Sequence, residues 1–233
     1  MVRYMAIDMN PKQRAAEAAV TLLRRGNSVG LGTGSTADYF LTALAAALRQ
    51  GTLADIRGVP TSHRSEQRAR ELGIPLTTLA EVDMLDIAID GADEVGPGLN
   101  LIKGLGGALL REKIIAQNAR RFVVIADASK EVSVLGSHSP VPVEVTPFSH
   151  EAQAAFLARQ GAVVELRRNR DSSPFITDNG NLIYDCKFGP IRDPAALDHL
   201  LASRAGIVAT GLFIGIATDA LIGEASGVRH VER

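Results

Sequence analysis

Four short clusters carry residue types able to do chemistry, and each follows an apolar run and precedes a helix or loop. Asp90-Gly91-Ala92-Asp93-Glu94 places three carboxylates within five residues, directly after Leu85-Asp86-Ile87-Ala88-Ile89. Charges so close repel unless a cation or a hydroxyl-bearing ligand stands between them. An Asp pair suits Mg²⁺, but no His lies nearby and Lys103 follows shortly. A solvated acidic turn is the plain alternative. Lys103-Gly104-Leu105-Gly106-Gly107-Ala108 then runs into Leu109-Leu110-Arg111-Glu112-Lys113. A glycine-rich loop entering a helix makes an anion cradle, here with a lysine at its mouth. Glu112 falls in the early turns of that helix, where favourable dipole alignment alone would account for a carboxylate.

Gly30-Leu31-Gly32-Thr33-Gly34-Ser35-Thr36 is the second glycine-rich turn, with hydroxyls at Thr33, Ser35 and Thr36 suited to phosphate or sugar oxygens. It is no phosphate-binding P-loop, because no Lys follows its last glycine, and its spacing departs from the dinucleotide fingerprint. Read alone, it is equally a capped strand-to-helix turn. Asp127-Ala128-Ser129-Lys130 closes another apolar run, and Lys130 there can be an ordinary loop lysine. Lys12 stands in a first helical turn, where a cation opposes the helix dipole and a bound phosphate would turn that penalty into attraction. Together, two cradles, lysines, an acidic pair and a helix-borne Glu describe a pocket for a polyhydroxylated phosphate ester. His63, His138, His150, His199 and His230 are scattered without ligand or triad spacing, so no metal and no cofactor is expected.

The elements that must position these clusters alternate strand and helix, the pattern of an α/β layered sheet. Asn10 and Pro11 open a helix with Ala16, Ala19, Val20 and Leu23 on one face, and Gly26 ends it. Short apolar strands are expected at Ser28–Gly32, Ile56–Pro60, Leu85–Asp90 and Phe122–Asp127, with helices near Ser35–Arg49, Ser62–Leu72 and Gly107–Ala119. After Gly136 the three prolines of SHSPVPVEVTP suggest a boundary leading into an edge strand. A helix at Ser149–Arg159, a strand at Ala162–Arg168, a hairpin turn at Asp178-Asn179-Gly180-Asn181 and a helix from Asp193-Pro194 follow. The tail from Ile207 to Glu232 reads as strands that return to the first domain.

Composition narrows the class. Hydrophobic residues at 46% and charged residues at 22% suit a packed globular protein, and a net charge of −1 removes the electrostatic case for binding nucleic acid or an anionic membrane. Cys186 is the single cysteine, which excludes an internal disulfide and fits a reducing compartment. The start MVRYMAIDMNPKQRAAEAAV lacks an apolar stretch with a cleavage site, so a cytoplasmic protein is expected.

The series GLGTGSTADYF, DGADEV, KGLGGALLREKI, ADASK, PVEV and TDNGN, in this order and spacing, resembles ribose-5-phosphate isomerases of the A type over nearly the whole chain. Each motif is weak alone; six in order are specific. The resemblance implies interconversion of ribose 5-phosphate and ribulose 5-phosphate in the non-oxidative pentose phosphate pathway, without metal or organic cofactor. It implies a Rossmann-like domain (1–136 and 208–233), a smaller inserted α+β, ferredoxin-like domain (137–207) at an oligomer interface, and a homodimer or homotetramer. By the same resemblance Glu112 is the general base, Asp90 and Asp93 handle ring opening and hydroxyl protons, and Lys103 stabilises the oxyanion. Lys12, Thr33, Gly34, Ser35, Thr36, Gly91, Ala92, Gly104, Leu105, Gly106 and Lys130 join Asp90, Asp93 and Lys103 in holding the substrate. Leu105 departs from the family pattern, which has glycine there. If that position needed positive φ, leucine would cost roughly a kcal/mol or more; an ordinary conformation with a backbone-only contact is expected.

Rival readings of the same pocket are a sugar-phosphate effector domain, an amino-sugar-phosphate deaminase and a coenzyme-A transferase. The first would carry a helix-turn-helix, for which the residues before Pro11 leave no room. The second would release ammonia, and the third would form a thioester on its glutamate.

Overall fold

The protein is described here by a computed structural model covering residues 10–233; the leader reading of the first residues lies outside the described residues. Helix α1 (Pro11–Val20) begins where Asn10 accepts a hydrogen bond from the Lys12 amide at 3.0 Å, and proline at the first position needs no amide partner. Strand β1 (Ser28–Leu31) is buried throughout and leads through Gly34, at φ +115°, into α2 (Ser35–Arg49). Strand β2 (Arg57–Pro60), helix α3 (His63–Glu71) and strand β3 (Ile87–Asp90) follow. Next come two-residue strands β4 (Glu94–Val95) and β5 (Leu101–Ile102), helix α4 (Leu109–Gln117) and strand β6 (Phe122–Asp127). The remainder contains β7 (Val141–Val145), α5 (His150–Arg159), β8 (Val163–Leu166), β9 (Leu182–Lys187), α6 (Pro194–Ala202), β10 (Ile207–Thr210), β11 (Leu212–Phe213), β12 (Asp219–Glu224) and β13 (Gly227–Glu232).

The large sheet has the order β13-β12-β6-β3-β1-β2, parallel except for the antiparallel edge strand β13. Both faces are covered, which is why its inner strands are continuously apolar. One face packs Ala15, Ala16, Ala19, Phe40, Leu41 and Leu44 of α1 and α2 against Val29, Leu31, Ile89, Val123 and Ile125. The other packs Ile115 and Ala116 of α4 with Leu101 and Phe213 against Ala88, Phe122, Val124 and Ile222. These last contacts include the three-stranded sheet β11-β5-β4, which the sequence does not announce because a two-residue strand has no measurable period.

The second unit is a four-stranded antiparallel sheet, β10-β7-β9-β8, with α5 and α6, around a core of Val141, Val143, Val145, Leu157, Tyr184 and Leu201. Its chain order β-α-β-β-α-β is the split ferredoxin-like arrangement. Strand β7 lies inside this sheet, not at its edge as its prolines suggest. Pro142 is tolerated because pairing with β10 stops at Thr210 opposite Val143, so its missing amide falls beyond the end of that strand. The chain regains the large sheet only at β12, since β10 completes the smaller one beside β7. The Asn-Gly turn forms, with Thr177 and Gly180 bonded at 2.9 Å. Its amino-terminal side is irregular rather than a strand. Helix α4 starts later than expected, because Gly104 and Gly107 hold positive φ of +102° and +85° ahead of it, and it ends at Gln117, two residues early.

That turn also ties the two units together. The buried Glu144 carboxylate on β7 accepts from Thr177 Oγ1 and Asn181 Nδ2, both at 2.9 Å. Asp178 then accepts from the His63 amide at the start of α3 at 2.7 Å, and Arg111 of α4 donates to Asn179 Oδ1 and the Asp178 carbonyl at 2.9 Å. Among the described residues no helix is long and apolar enough to cross a membrane.

Candidate active site

The carboxyl ends of β1, β3 and β6 open on one side of the large sheet, where α/β sheets bind ligands. A cleft there is lined by Lys12, Thr33, Gly34, Ser35, Thr36, Gly91, Ala92, Asp93, Lys103, Gly104, Gly106, Glu112 and Lys130. The chain thus gathers from five segments nearly every residue expected at the site. Asp90 and Leu105 are the exceptions.

Lys103 is the centre of this arrangement. Its side chain is 2% exposed, and its ammonium donates to the Gly91 carbonyl at 2.6 Å and meets Asp90 Oδ2 at 3.1 Å and Glu112 Oε1 at 3.2 Å. Three acceptors satisfy three ammonium hydrogens. The Phe213 ring, 5.5 Å away, closes the remaining side. Burial pulls the lysine pKa down, but the carboxylates of Asp90, Glu112 and Asp93 outweigh it and hold the ammonium charged well above its usual range. A substrate oxygen reaching Lys103 must replace one of these bonds, and the contact to Glu112 is the longest.

Glu112 sits on the first turn of α4 with a 5% exposed side chain. Oε1 meets Lys103, while Oε2 finds no donor among the described residues. Burial raises its pKa; Lys103 opposes this, Asp90 reinforces it, and the balance is pushed up to about 8. A surface carboxylate merely aligned with a helix dipole would be exposed, and this one is not.

Asp90 stands behind the cleft wall. Oδ1 accepts the amides of Gly91 at 2.7 Å and Thr33 at 3.0 Å, and Oδ2 holds Lys103. Its geometry is that of a buried anchor tying the β1 turn to the β3 turn. Gly32 makes room for it: a Cβ there would lie 2.3 Å from Oδ1. Asp93 does face the cleft, and its Oδ2 accepts the Leu105 amide at 2.9 Å. Leu105 has no positive φ, and its side chain is 42% exposed, so the departure from glycine carries no backbone strain.

The anion cradle lies at α2. No side chain caps this helix, so the first-turn amides beside Ser35 and Thr36 are left for an anion. Lys12 Nζ reaches Ser35 Oγ at 3.3 Å. Lys130 approaches from the turn after β6, where Asp127 binds the Ser129 amide at 3.0 Å. Partial burial raises Asp127, but the Ser129 hydrogen bonds and the Lys12 and Lys130 ammoniums hold it below its usual range. The Thr33 hydroxyl is turned inward, bonding Thr61 and Ser62 at 2.7 Å. Thr61, Ser62, Phe213 and Gly211, whose carbonyl accepts the Lys103 amide at 2.9 Å, carried no signal in the sequence that placed them beside the site.

Among the described residues, Asp219, His230 and Glu232 form one cluster with the spacing of metal ligands. It lies level with the amino-terminal end of β6, away from the cleft, and Arg121 already engages both Asp219 oxygens.

Comparison with known proteins draws on nearly the whole chain. Residues 57–227 match the family profile described as ribose 5-phosphate isomerase A (phosphoriboisomerase A). A Chloroflexus aurantiacus protein named ribose-5-phosphate isomerase A is 55% identical over 220 residues, covering 94% of this chain and 92% of its own length. One of the same name from Gluconobacter oxydans is 50% identical, with 97% and 98% covered. A solved D-ribose-5-phosphate isomerase in complex with phospho-erythronic acid superposes with a TM-score of 0.93 at 43% identity, covering 97% of this chain and all of that one. The ribose 5-phosphate isomerase A of Methanocaldococcus jannaschii gives 0.91 at 40% identity, with 96% and 98% covered. Sequence, fold and cleft agree: this chain belongs to the ribose 5-phosphate isomerase A family.

Proposed function

We propose that the protein interconverts ribose 5-phosphate and ribulose 5-phosphate by moving one proton between C2 and C1, with Glu112 as the base. The observation that carries this reading is the buried Glu112 carboxyl, raised to about 8, with one oxygen free of donors and the other 3.2 Å from a fixed ammonium. Ionised Glu112 removes the C2 proton of the open-chain aldose, and the electrons pass to O1 as an enediolate. Lys103 exchanges its long contact to Glu112 for the forming oxyanion, supplying charge stabilisation from an ammonium that Asp90 and the Gly91 carbonyl already hold in place. Asp93, which faces the cleft, carries the hydroxyl proton from O2 to O1 and serves ring opening. Asp90 keeps Lys103 aimed and charged. Glu112 then returns its proton to C1, leaving the ketose. The phosphate meets the α2 amides, Lys12 and Lys130.

We further propose a cytoplasmic homo-oligomer, dimer or tetramer, with the four-stranded sheet at the subunit interface, to be measured by light scattering. The function is tested by incubating the purified protein with ribose 5-phosphate in deuterated water. Ketose carrying deuterium at C1 is expected, with competition by phospho-erythronic acid. No ketose, or ammonia release from an amino-sugar phosphate instead, would end the isomerase reading.

A further inference from the structure

We propose that Arg167, carried just after β8 on the smaller sheet, is a positioning residue for the Lys103–Gly107 loop across the junction between the two units. This rests on the isomerase reading above. The Arg167 side chain is 12% exposed and is gripped at both ends of its fork by Asp185 of β9, Nε to Oδ2 at 2.9 Å and Nη2 to Oδ1. Its remaining nitrogen, Nη1, crosses to the cleft loop and donates to the Gly104 carbonyl at 2.9 Å and the Leu105 carbonyl at 3.1 Å. An ion pair that only joined two strands would have no reason to reach these groups.

Each carbonyl shares a conjugated peptide unit with an amide that matters at the site. The Gly104 carbonyl belongs with the Leu105 amide, which donates to Asp93 Oδ2. The Leu105 carbonyl belongs with the amide of Gly106, a residue of the cleft wall. A cation on the oxygen side polarises the peptide and strengthens its N–H as a donor. Arg167 therefore fixes which way the loop's amides point and makes them better donors to Asp93 and to substrate oxygens. Phe175 completes the clamp. Its ring lies 5.9 Å from the guanidinium and fills the space where a Cβ at Gly107 would come within 2.5 Å. Without the guanidinium, the buried Gly104 carbonyl keeps only the Gly107 amide, at 3.0 Å, the Leu105 carbonyl loses its charged donor, and the loop can turn.

The test uses the full-length protein with Arg167→Ala and Arg167→Lys. Arg167→Ala is expected to lower kcat for ribose 5-phosphate by about 10–100-fold, the worth of hydrogen bonds to a charged group. Guanidinium chloride, well below denaturing concentration, should restore several-fold of that loss, while sodium chloride at equal ionic strength should not. Arg167→Lys cannot span Asp185 and both carbonyls, so it should also fall short of wild-type kcat. Amide hydrogen exchange at Leu105, whose N–H is held by Asp93, should accelerate in both variants whatever the catalytic outcome. Folded variants with wild-type kcat and wild-type exchange at this amide would overturn the proposal, as would a loss that guanidinium and sodium chloride leave alike. If Arg167→Ala does not fold, Arg167→Lys with normal kinetics and exchange overturns it equally. Failure of the wild type to turn over ribose 5-phosphate would overturn the isomerase reading alone, because the exchange measurement still reports on the clamp.

Discussion

Glu112→Gln should make the protein more stable and nearly inactive, and both effects follow from the same burial. Glutamine copies the shape of the protonated carboxyl, so it keeps the contacts of Glu112 but never ionises. In the wild type the carboxyl is held at about 8 against an ordinary value of 4.5. A carboxyl whose pKa is higher in the folded state binds its proton more tightly there, so its contribution to stability is present below about 4.5 and lost as pH rises towards about 8. That gap, at about 1.36 kcal/mol per pH unit, amounts to on the order of 5 kcal/mol at high pH and about 3 kcal/mol at pH 7. Urea unfolding of both proteins at about pH 5, 7 and 9 should therefore give curves that nearly coincide in acid and separate as pH rises, the variant being the more stable. Turnover moves the other way: kcat should fall by roughly 10²–10⁴-fold, the usual worth of a positioned acid–base group, while the sugar phosphate still binds. Stability curves that run parallel across the whole range would refute the burial argument. A folded variant with kcat near wild type would refute the base assignment and move attention to Asp93.

The wild-type pH profile should show kcat/KM rising to a limb near the Glu112 value of about 8, because only the ionised carboxyl removes a carbon-bound proton. Lys12→Ala and Lys130→Ala should each raise KM for ribose 5-phosphate by about 10–100-fold with kcat little changed; unchanged KM in both would place the phosphate elsewhere. Gly32→Ala drives a methyl to within 2.3 Å of Asp90, so a loss of about 1–3 kcal/mol in stability and a fall in kcat should appear together. Cys186 is buried, and burial pushes its thiol up to about 12, so thiol reagents should label it only after denaturation.

Strand, glycine turn and helix follow one another in the chain with enough local chemistry to read. Asn10 as a cap, Pro11 at a first helical turn and Asn179-Gly180 in a tight turn act through their own neighbours, and they stand where the sequence places them. The four chemical clusters are legible for the same reason, since each lies at a strand end and α/β sheets gather strand ends at one edge. What the tertiary structure alone decides is which groups are left uncharged, unpaired or hidden. Asp90 and Asp93 look equivalent in DGADE, yet one is spent on Thr33, Gly91 and Lys103 while the other faces the cleft. Glu112 is an ordinary helix-borne carboxylate in the sequence, and only its burial in the folded protein, reinforced by Asp90 and opposed by Lys103, raises its pKa. Pro142 reads as an edge residue until the end of β10 shows where its missing amide falls. Arg167 carries no signal at all, because its partners Asp185, Gly104 and Leu105 are brought to it by docking one sheet against another. Periodicity and capping are local, whereas desolvation and long-range hydrogen bonding depend on segments more than a hundred residues apart in the chain, such as His63 and Asp178, arriving at one place.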